Sequence, residues 1–471
     1  GQASDIVTLD PAGQQDTTSG VLMKHAYSTL LDVDNEGKVV PDLAESYEMK
    51  SDTEYVFKLR EDACFWDGTP VTAQDVKFSL DRAKGMPKTK SNTSKIEEVT
   101  VNGDHEVTIK LTEPYAAFKT IVTQHNLSIL SEKAVTEAGD SYGDVDNLLG
   151  SGPFKVTEWV PNDHYTLVRN DNYWGEMPIA TSITCRVIPE GSARTIALEA
   201  GEIDVVWSVD PTDCANVESN PDVKLLSQPS TGIDYVGMNT QKEKFSDKRV
   251  RQAINYALDK QAFVDTIIEG RGLVANSYIN AAIPGWTDEV EAYPYDPEKA
   301  KELLAEAGYP DGFECSIFVN GDLRTRSAQI LQAQLADVGI KVDISTYEWG
   351  ALLDTLNAGE HEMFLLGWSN TSFDPDGSTY QLFYSGNHGA TGNRAFFSND
   401  KVDELILSAQ RESEESKRME LYKELQFVLH EESPWCPLYY KENNVGVRAD
   451  LKGFTLHAGA QHYLGNCHYE E

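Results

Sequence analysis

One segment of the chain, between Phe313 and Trp368, constrains the fold more than any other. It contains three short apolar runs that are typical of strands, and two stretches with helical periodicity lie between them. The strand-like runs are FECSIFV, IKVDI and EMFLLGW, and the helix-like stretches are TRSAQILQAQLADVG and WGALLDTLNAG. Strands that alternate with helices pair in parallel through right-handed crossovers, so this order predicts an α/β fold with a parallel sheet.

Polar residues follow the first and the third of these predicted strands. The two exits are NGDLRTR at 320–326 and WSNTSFDPDG at 368–377. In open parallel sheets, ligands bind outside the carboxyl ends of the strands, where helix N-termini also offer partial positive charge. The second exit is therefore either an ordinary turn or one wall of a binding site.

Length and charge limit the classes of function. With 471 residues the chain predicts two or three domains. The 76 acidic residues against 40 basic ones give a net charge of -36, which argues against a nucleic-acid or anionic-membrane partner. A solvated acidic surface is the simplest interpretation. No apolar run approaches the roughly 18 residues of a membrane span, so we expect a soluble chain whose signal segment lies outside this sequence.

The first third of the chain has a different pattern. TEYVFKLR and HEVTIKLT alternate with a period of two, as antiparallel strands do. We therefore expect a β-rich unit there, separate from the parallel sheet. Further along, Asp296 and Pro297 predict the start of one helix, and the apolar spacing from Met419 to Leu429 predicts another.

Motifs for catalysis and metal binding are missing from the sequence. It contains no GxSxG, no GxxxxGK[ST] and no HExxH, so no catalytic residue, cofactor or metal is predicted. The six cysteines form no CxxC pair, and their spacing requires no disulfide. Cys64 and Cys315 lie in apolar runs and are predicted to be reduced and buried. The tail histidines His457 and His462 match no standard zinc spacing.

Four aromatic residues lie where an apolar run meets a turn. An aromatic ring at such a junction either packs in the core or presents one face to a ligand. The residues are Tyr235, Trp286, Trp368 and Phe373.

A series of segments along nearly the whole chain carries a family likeness. The segments are DIVTLDP, VVPDLAESYE, FKLREDACFWDGTPVTAQDVKFS, GSGPFKV, YVGMNTQ, FSDKRVRQAINYALDKQA and the Gly367-Trp368 pair. With them the chain resembles the family 5 extracellular solute-binding proteins, the peptide and nickel class of receptors for ABC importers. The order of the segments is also that of the family.

The resemblance implies an α/β clamshell of two lobes, of the type II periplasmic-binding-protein kind, with an extra β-rich subdomain as in the peptide-binding class. Lobe I is expected at 1–32, 175–238 and 452–471, the inserted subdomain at 33–174, and lobe II at 239–451. The chain is expected to cross between the lobes near 237–240 and near 453–456, where glycines could absorb rotation.

The resemblance also implies a receptor without catalytic activity. Ligand binding would stabilise the closed form, because only there does the ligand touch both lobes. The closed receptor, a monomer, would deliver a peptide or a similarly sized polar solute to an ABC permease. We expect it at the outer face of the cytoplasmic membrane, held by a lipid anchor, or in a periplasm. The expected ligand-binding residues are Asp16, Thr17, Ser19, Tyr235, Arg324, Trp368, Thr371, Ser372, Phe373, Asp374, Asn393 and Arg394.

Two positions depart from the dipeptide receptors of this class. There an Asp three residues after the Gly-Trp tryptophan holds the ligand ammonium, and here that position is Thr371. Phe318 stands where those receptors have the Arg that holds the peptide carboxylate. Asp374 and Arg324 are the predicted substitutes. A metal chelate, haem or an oligosaccharide is the alternative ligand, and a hydrolase acting in the cleft is the alternative class of function.

Overall fold

The computed structural model describes residues 1–470, apart from the side chain of Thr391. The α-helices are α1 (Thr17–Ala26), α2 (Ala73–Lys84), α3 (Lys90–Thr93), α4 (Phe118–Ile121), α5 (Glu132–Ala138), α6 (Gly191–Glu199), α7 (Pro211–Ser219), α8 (Glu243–Ser246), α9 (Lys248–Ala257), α10 (Lys260–Thr266), α11 (Pro297–Glu306), α12 (Gly321–Ala336), α13 (Trp349–Asn357), α14 (Asp376–Phe383), α15 (Asp400–Arg411) and α16 (Glu415–Glu432). The β-strands are β1 (Leu31–Val33), β2 (Val39–Pro41), β3 (Ala44–Ser51), β4 (Glu54–Leu59), β5 (Ile96–Val101), β6 (Glu106–Leu111), β7 (Phe154–Val160), β8 (His164–Arg169), β9 (Ser182–Arg186), β10 (Val205–Val206), β11 (Val223–Met238), β12 (Gly272–Val274), β13 (Phe313–Val319), β14 (Ile340–Thr346), β15 (Met363–Ser369), β16 (Trp435–Arg448), β17 (Leu451–Lys452) and β18 (His468–Tyr469).

The predicted strand and helix alternation forms as expected. Strand β13 lies between β14 and β15 and pairs in parallel with both, while α12 and α13 connect the three strands. One detail of the prediction is wrong, because α12 begins at Gly321, four residues before the predicted Thr325. β13 therefore leads directly into α12, and Arg324 lies in the first turn of α12 instead of in a loop.

Two long strands, β11 and β16, run antiparallel through the whole molecule. They pair with each other along most of their length. β10 pairs with the C-terminal part of β16, and β15 pairs with the C-terminal part of β11. The pairing register shifts between Pro229 and Ile233. The chain crosses between the two halves of the molecule within these strands.

The predicted crossings near 237–240 and 453–456 stay a prediction, but the backbone pairing at these glycines gives them little support as hinges. Gly237 is paired on both sides, with Phe364 of β15 and Trp435 of β16, which leaves it no freedom to act as a hinge. Gly453 follows β17, which pairs with β18 at the end of the described chain. By core packing Gly237 lies in lobe II and Gly453 in lobe I, and the register shift between Pro229 and Ile233 is an alternative place for the crossing.

The β-rich unit also forms. TEYVFKLR and HEVTIKLT contain β4 and β6, which pair antiparallel within the sheet β3-β4-β6-β5. The apolar residues of this unit, from Leu30 to Ile129, share one core. Strands β7, β8 and β9 instead pack on Ile6, Leu9 and Leu22.

Core packing defines three parts of the molecule, which we name by their residues. Lobe I comprises residues 1–29, 130–228 and 442–470, the β-rich subdomain comprises residues 30–129, and lobe II comprises residues 233–440. Apolar residues up to residue 129 pack in the core of the β-rich subdomain and those after it pack in lobe I, whereas the predicted end of the inserted subdomain was residue 174. The exact boundaries stay a prediction.

Smaller expectations are met in part. Asp296 caps α11 and Pro297 occupies its first turn, and α16 contains the predicted stretch from Met419 to Leu429.

All six cysteines are free. Cys315 is buried as predicted, but Cys64 is only half-buried and lies outside the strands, in an isolated bridge with Pro70. Among the described residues, no helix combines the length and the apolar character that crossing a membrane requires.

Candidate ligand-binding site

A cavity of about 1630 Å³ lies between lobe I and lobe II. The carboxyl ends of all three parallel strands open into it, with Asn320 after β13, Tyr347 after β14 and Trp368 at the end of β15. The opposite wall comes from the N-terminal end of α1 and from residues 187–211. The general rule for open parallel sheets thus locates the cavity correctly.

The structure brings half of the predicted ligand-binding residues to this cavity. The residues that line it are Asp16, Thr17, Arg324, Trp368, Thr371 and Arg394. They come from both walls, with Asp16 and Thr17 in lobe I and the other four in lobe II. Thr371 also connects lobe II to the β-rich subdomain, since its hydroxyl donates a hydrogen bond of 2.8 Å to Gln124 Oε1.

The other six predicted residues do not line the cavity. They are Ser19, Tyr235, Ser372, Phe373, Asp374 and Asn393. Each has a contact elsewhere in the fold that accounts for its position.

Asp374, the predicted ammonium anchor, is paired inside lobe II. Its two carboxylate oxygens lie 2.5 and 2.9 Å from the Arg418 guanidinium nitrogens, and the two side chains are only 11% and 5% exposed. A carboxylate held in a buried bidentate pair is not open to a ligand. The structure therefore contradicts the prediction that Asp374 replaces the acidic residue at the Thr371 position.

Ser372 and Phe373 belong to the turn after β15. The Ser372 hydroxyl donates to Asn370 Oδ1 at 2.8 Å, and the Asn370 amide donates to Asp374 O at 2.7 Å. Phe373 adopts a positive φ of 55° and packs edge-on against His457. This part of the segment is a folded turn, whereas Trp368 and Thr371 form the cavity wall.

Tyr235, Ser19 and Asn393 have packing or hydrogen-bonding roles. The ring of Tyr235 is stacked on Trp435, with centroids 3.4 Å apart. Ser19 Oγ accepts the backbone N–H of Val7, and the Asn393 amide donates to two backbone carbonyls. A junction between an apolar run and a turn predicts a buried aromatic as readily as a binding one, and Tyr235 is the buried case.

A partly buried ion pair lies on the floor of the cavity. Lys441 Nζ is 3.2 Å from Asp234 Oδ1, and the Tyr439 hydroxyl donates to Asp234 Oδ2 at 3.1 Å. Burial would raise the pKa of Asp234, but the positive charges of Lys441 and Arg324 outweigh it and lower the pKa. A Cβ at Gly367 would lie 2.1 Å from Asp234 Oδ1, so only glycine fits beside the pair.

A second charged cluster lies on the lobe I side. Arg194 is 3.3 Å from Asp210, and Arg326 of lobe II approaches the same carboxylate at 3.6 Å. Burial raises the pKa of Asp210, and these two guanidinium groups partly offset it. The cluster joins the lobes, and Asp210 already has two ion-pair partners within the protein.

Two arginines at the cavity have no such partner. Within the described part of the chain, neither Arg324 nor Arg394 forms an ion pair with a carboxylate. Arg324 donates to Asn320 Oδ1 and lies 6.0 Å from the ring centroid of Trp349. Arg394 donates through Nε to Asn357 Oδ1 at 3.0 Å. Both guanidinium groups are thus available to an anionic group in the cavity.

Sequence reasoning missed several residues of the cavity wall. Tyr347 and Trp349 follow β14, and the strand-exit rule that identified Trp368 would have identified them too. Asp234 was also missed, although a charged residue in the middle of an apolar strand is itself a signal. Lys441 lies 207 positions away from Asp234 along the chain and could not be paired with it from the sequence.

The tail histidines have structural contacts. His457 Nδ1 accepts the backbone N–H of Gly459, and burial lowers the pKa of His457 to about 4. Over residues 1–470, no cluster of three or more His, Cys, Asp or Glu side chains could hold a metal ion.

Comparison with known proteins identifies the family. Residues 38–390 match the model of the bacterial extracellular solute-binding proteins, family 5. The chain belongs to this family. It is 32% identical to the glutathione-binding protein GsiB of Escherichia coli strain K12 over 472 residues, covering 96% of this chain and 90% of the relative. It is 30% identical to the dipeptide-binding protein of the same strain, covering 92% and 86%.

A solved structure of a family 5 protein supports the same fold. The periplasmic binding protein DppA of Helicobacter pylori, which is associated with an ABC transporter and was solved with the peptide STSA, superposes with a TM-score of 0.95. The identity is 29%, over 100% of this chain and 97% of that one. The two-lobed, type II architecture and the role as a solute-binding protein for an ABC importer follow from this family membership. The relatives are binding proteins and not enzymes.

Proposed function

We propose that this family 5 protein binds a short peptide with free charged groups in the cavity between its lobes. The observation that carries the proposal is the composition of the cavity. One wall offers the buried carboxylate of Asp16, the other offers Arg324 and Arg394 without ion-pair partners, and Trp368 adds an aromatic face. Peptide ligands carry both charges and apolar surface, so these groups suit them.

Closure of the lobes around the ligand completes the proposed function. Asp16 and Thr17 belong to lobe I, whereas Arg324, Trp368 and Arg394 belong to lobe II. A ligand that contacts both sets stabilises the closed form, since the open form offers only one set at a time. The closed monomer is then the species that a permease receives, either from a lipid-anchored position or from a periplasm.

The test is calorimetric titration with a panel of α-linked dipeptides and tripeptides, together with S-methylglutathione. We expect micromolar or tighter binding of at least one peptide, with no turnover when the mixture is followed by chromatography. Mass spectrometry of the ligand that co-purifies identifies the natural solute. Binding of none of these peptides, with a metal chelate or an oligosaccharide found in the purified protein, would refute the peptide proposal. Cleavage of a bound peptide would instead favour a hydrolase.

A further inference from the structure

The β-rich subdomain is attached to lobe I but also contacts lobe II. Within residues 1–470 the chain enters and leaves the subdomain only from lobe I, near residues 29 and 130. An ion pair of Arg82 with Asp10 at 2.6 Å, and a backbone hydrogen bond of 2.9 Å from Trp66 N–H to Gly150 O, hold it against lobe I. When the lobes separate, the subdomain therefore moves with lobe I, and its contacts with lobe II have to break.

Hydrogen bonds connect the subdomain to lobe II at several points, which we call the subdomain interface. The Tyr115 hydroxyl donates to Asp376 Oδ2 at 2.5 Å, and the Ala116 N–H donates to Gln410 O at 2.8 Å. The other pairs are Ser94 with Tyr380, Asn92 with Gln381, Gln124 with Thr371 and Glu113 with Arg411. The apolar side chains of the two parts belong to separate cores. Surfaces that share no apolar core can separate without unfolding either part.

The bond between Tyr115 and Asp376 is the most deeply buried side-chain contact of this interface. Each of the two residues is only 1% exposed. Gln410 Nε2 donates to the other carboxylate oxygen of Asp376 at 2.8 Å, so both oxygens are hydrogen-bonded. When the interface separates, water can replace the Tyr115 hydroxyl, whereas a buried oxygen without a donor costs free energy. Removing that hydroxyl therefore destabilises the closed form and not the open one.

The subdomain interface also forms one edge of the cavity. Asn92, Gln124, Thr371 and Gln381 all line the cavity. Gln381 Nε2 donates to Asn92 Oδ1 at 2.7 Å, and the Thr371 hydroxyl donates to Gln124 Oε1 at 2.8 Å. Both hydrogen bonds cross from lobe II to the subdomain. On this side a ligand can pass only after these bonds break.

The first turn of α14 couples the interface to the cavity wall. This turn contains Asp376, which accepts from Tyr115, and Gly377, whose carbonyl accepts from Trp368 Nε1 at 3.0 Å. Trp368 lines the cavity. The same helical turn thus contacts the subdomain on one side and holds the aromatic wall on the other.

We propose that the subdomain interface closes the cavity before a ligand arrives, and that Tyr115 and Asp376 are positioning residues that stabilise this closure without touching the ligand. The inference goes beyond the proposed function, because it holds for any solute that contacts both lobes. The apparent affinity of such a solute depends on the fraction of molecules that are closed. Weakening the interface therefore reduces the affinity for chemically different ligands by one common factor.

The first test is hydrogen exchange of the Ala116 amide without any ligand. This amide is bonded across the interface, so it exchanges when the interface opens. We expect Tyr115→Phe to accelerate its exchange at least about fivefold, while amides within β4 and β6 keep their wild-type rates. Ser94→Ala, which removes a different contact of the interface, should act in the same direction.

Three outcomes of the exchange experiment would overturn the inference. The first is an unprotected Ala116 amide in the wild-type protein, since the interface would then be open without ligand. The second is an unchanged exchange rate at Ala116 in both variants. The third is an equal acceleration in β4 and β6, which would show that the subdomain itself is destabilised.

The second test is calorimetric titration with two different probes, S-methylglutathione and the dipeptide Ala-Phe. Tyr115→Phe should weaken binding of each probe at least about fivefold, and the two factors should agree within about twofold. A loss confined to one probe would show that Tyr115 acts on the ligand, and the inference would be wrong. If the wild-type protein binds neither probe nor any peptide of the panel, the proposed function fails, and the exchange experiment still decides the role of the interface.

Tyr293→Phe is the matched control. The Tyr293 hydroxyl donates to His430 O at 2.8 Å, and both residues belong to lobe II. This variant should lower the urea midpoint, because it loses a buried tyrosine hydrogen bond, but it should leave Ala116 exchange and both affinities unchanged. If Tyr293→Phe accelerates Ala116 exchange as much as Tyr115→Phe does, the effect reflects overall stability and the inference fails.

Discussion

Replacing Asp374 distinguishes an ammonium anchor from a structural ion pair. In the structure the Asp374 carboxylate accepts from two Arg418 nitrogens, at 2.5 and 2.9 Å, and Oδ1 also accepts the backbone N–H of Asp376 at 2.9 Å. Asp374→Asn removes the negative charge and leaves the Arg418 guanidinium buried beside Tyr422. Removing one partner of a buried ion pair typically costs about 3–5 kcal/mol. Asn still offers one acceptor oxygen, so we expect a loss near 3 kcal/mol.

The assay has two parts. Urea unfolding of the wild type, of Asp374→Asn, of Arg418→Met and of the double variant measures stability. We expect the double variant to be less destabilised than the sum of the two single variants, because the second substitution removes the charge that the first leaves unpaired. Calorimetry with a free-amine peptide and its N-acetylated form measures binding. Any loss of affinity should be by the same factor for both peptides, since Asp374 does not line the cavity and acts on binding only through the turn that holds Trp368.

One pattern of results would refute this reasoning. If Asp374→Asn leaves the urea midpoint unchanged and weakens the free-amine peptide much more than the N-acetylated one, Asp374 binds the ligand ammonium. Strict additivity of the two single variants would show that the pair contributes no coupling to the fold. Arg418 would then have to be stabilised by Tyr422 and by the more distant carboxylate of Glu415.

Three further outcomes are expected. Trp368→Ala should weaken binding of the peptide at least about tenfold, or about 1.4 kcal/mol, in the same calorimetric titration, because an aromatic face of the cavity is lost. Thiol titration of the native protein should label Cys64 and Cys467 quickly and Cys315 only after unfolding, since only the first two are half-buried. Burial, and the nearby charge of Asp374, raise the pKa of Asp376 from its ordinary 3.8 to about 6. The folded protein therefore holds this proton more tightly than the unfolded chain, and the resulting stabilisation is lost as the pH rises through 6. In urea unfolding, Asp376→Asn should accordingly gain stability relative to wild type between pH 5 and pH 7, and no such gain would show that Asp376 titrates normally.

The fold was predictable where local periodicity determines structure. The alternation between Phe313 and Trp368 specified β13, α12, β14, α13 and β15 and their parallel pairing, because each element has a clear apolar pattern and each of the two helices is followed by a glycine. The crossing between the lobes was not predictable in this way. Glycine at 237 suggested a hinge, but its backbone is paired on both sides. The register shift between Pro229 and Ile233 lies inside a 16-residue strand, where Pro229 and Gly232 indicate an irregularity but do not show that the chain crosses between the lobes.

The site was predictable only at the level of the strand exits. Trp368 and Arg324 were located because the carboxyl ends of parallel strands share one edge. The structural role of Asp374 could not be predicted, because its partner Arg418 is 44 residues away on α16 and no local sequence pattern joins the two. Asp16 was predicted as a site residue through the family resemblance, but that its Oδ2 has no hydrogen-bond partner among the described residues is a property of the folded molecule.

The segment after β15 forms both a wall of the cavity and a hydrogen-bonded turn. Trp368 donates through Nε1 to Gly377 O at 3.0 Å, so the ring that faces the cavity is fixed by the start of α14. The same turn is held by the Asn370 amide and by the ion pair of Asp374 with Arg418. A turn held at three points keeps Trp368 in one orientation, and a preorganised wall costs little ordering on binding. The polar residues of this turn that were predicted as ligand contacts therefore act indirectly. They fix the orientation of Trp368, which faces the cavity.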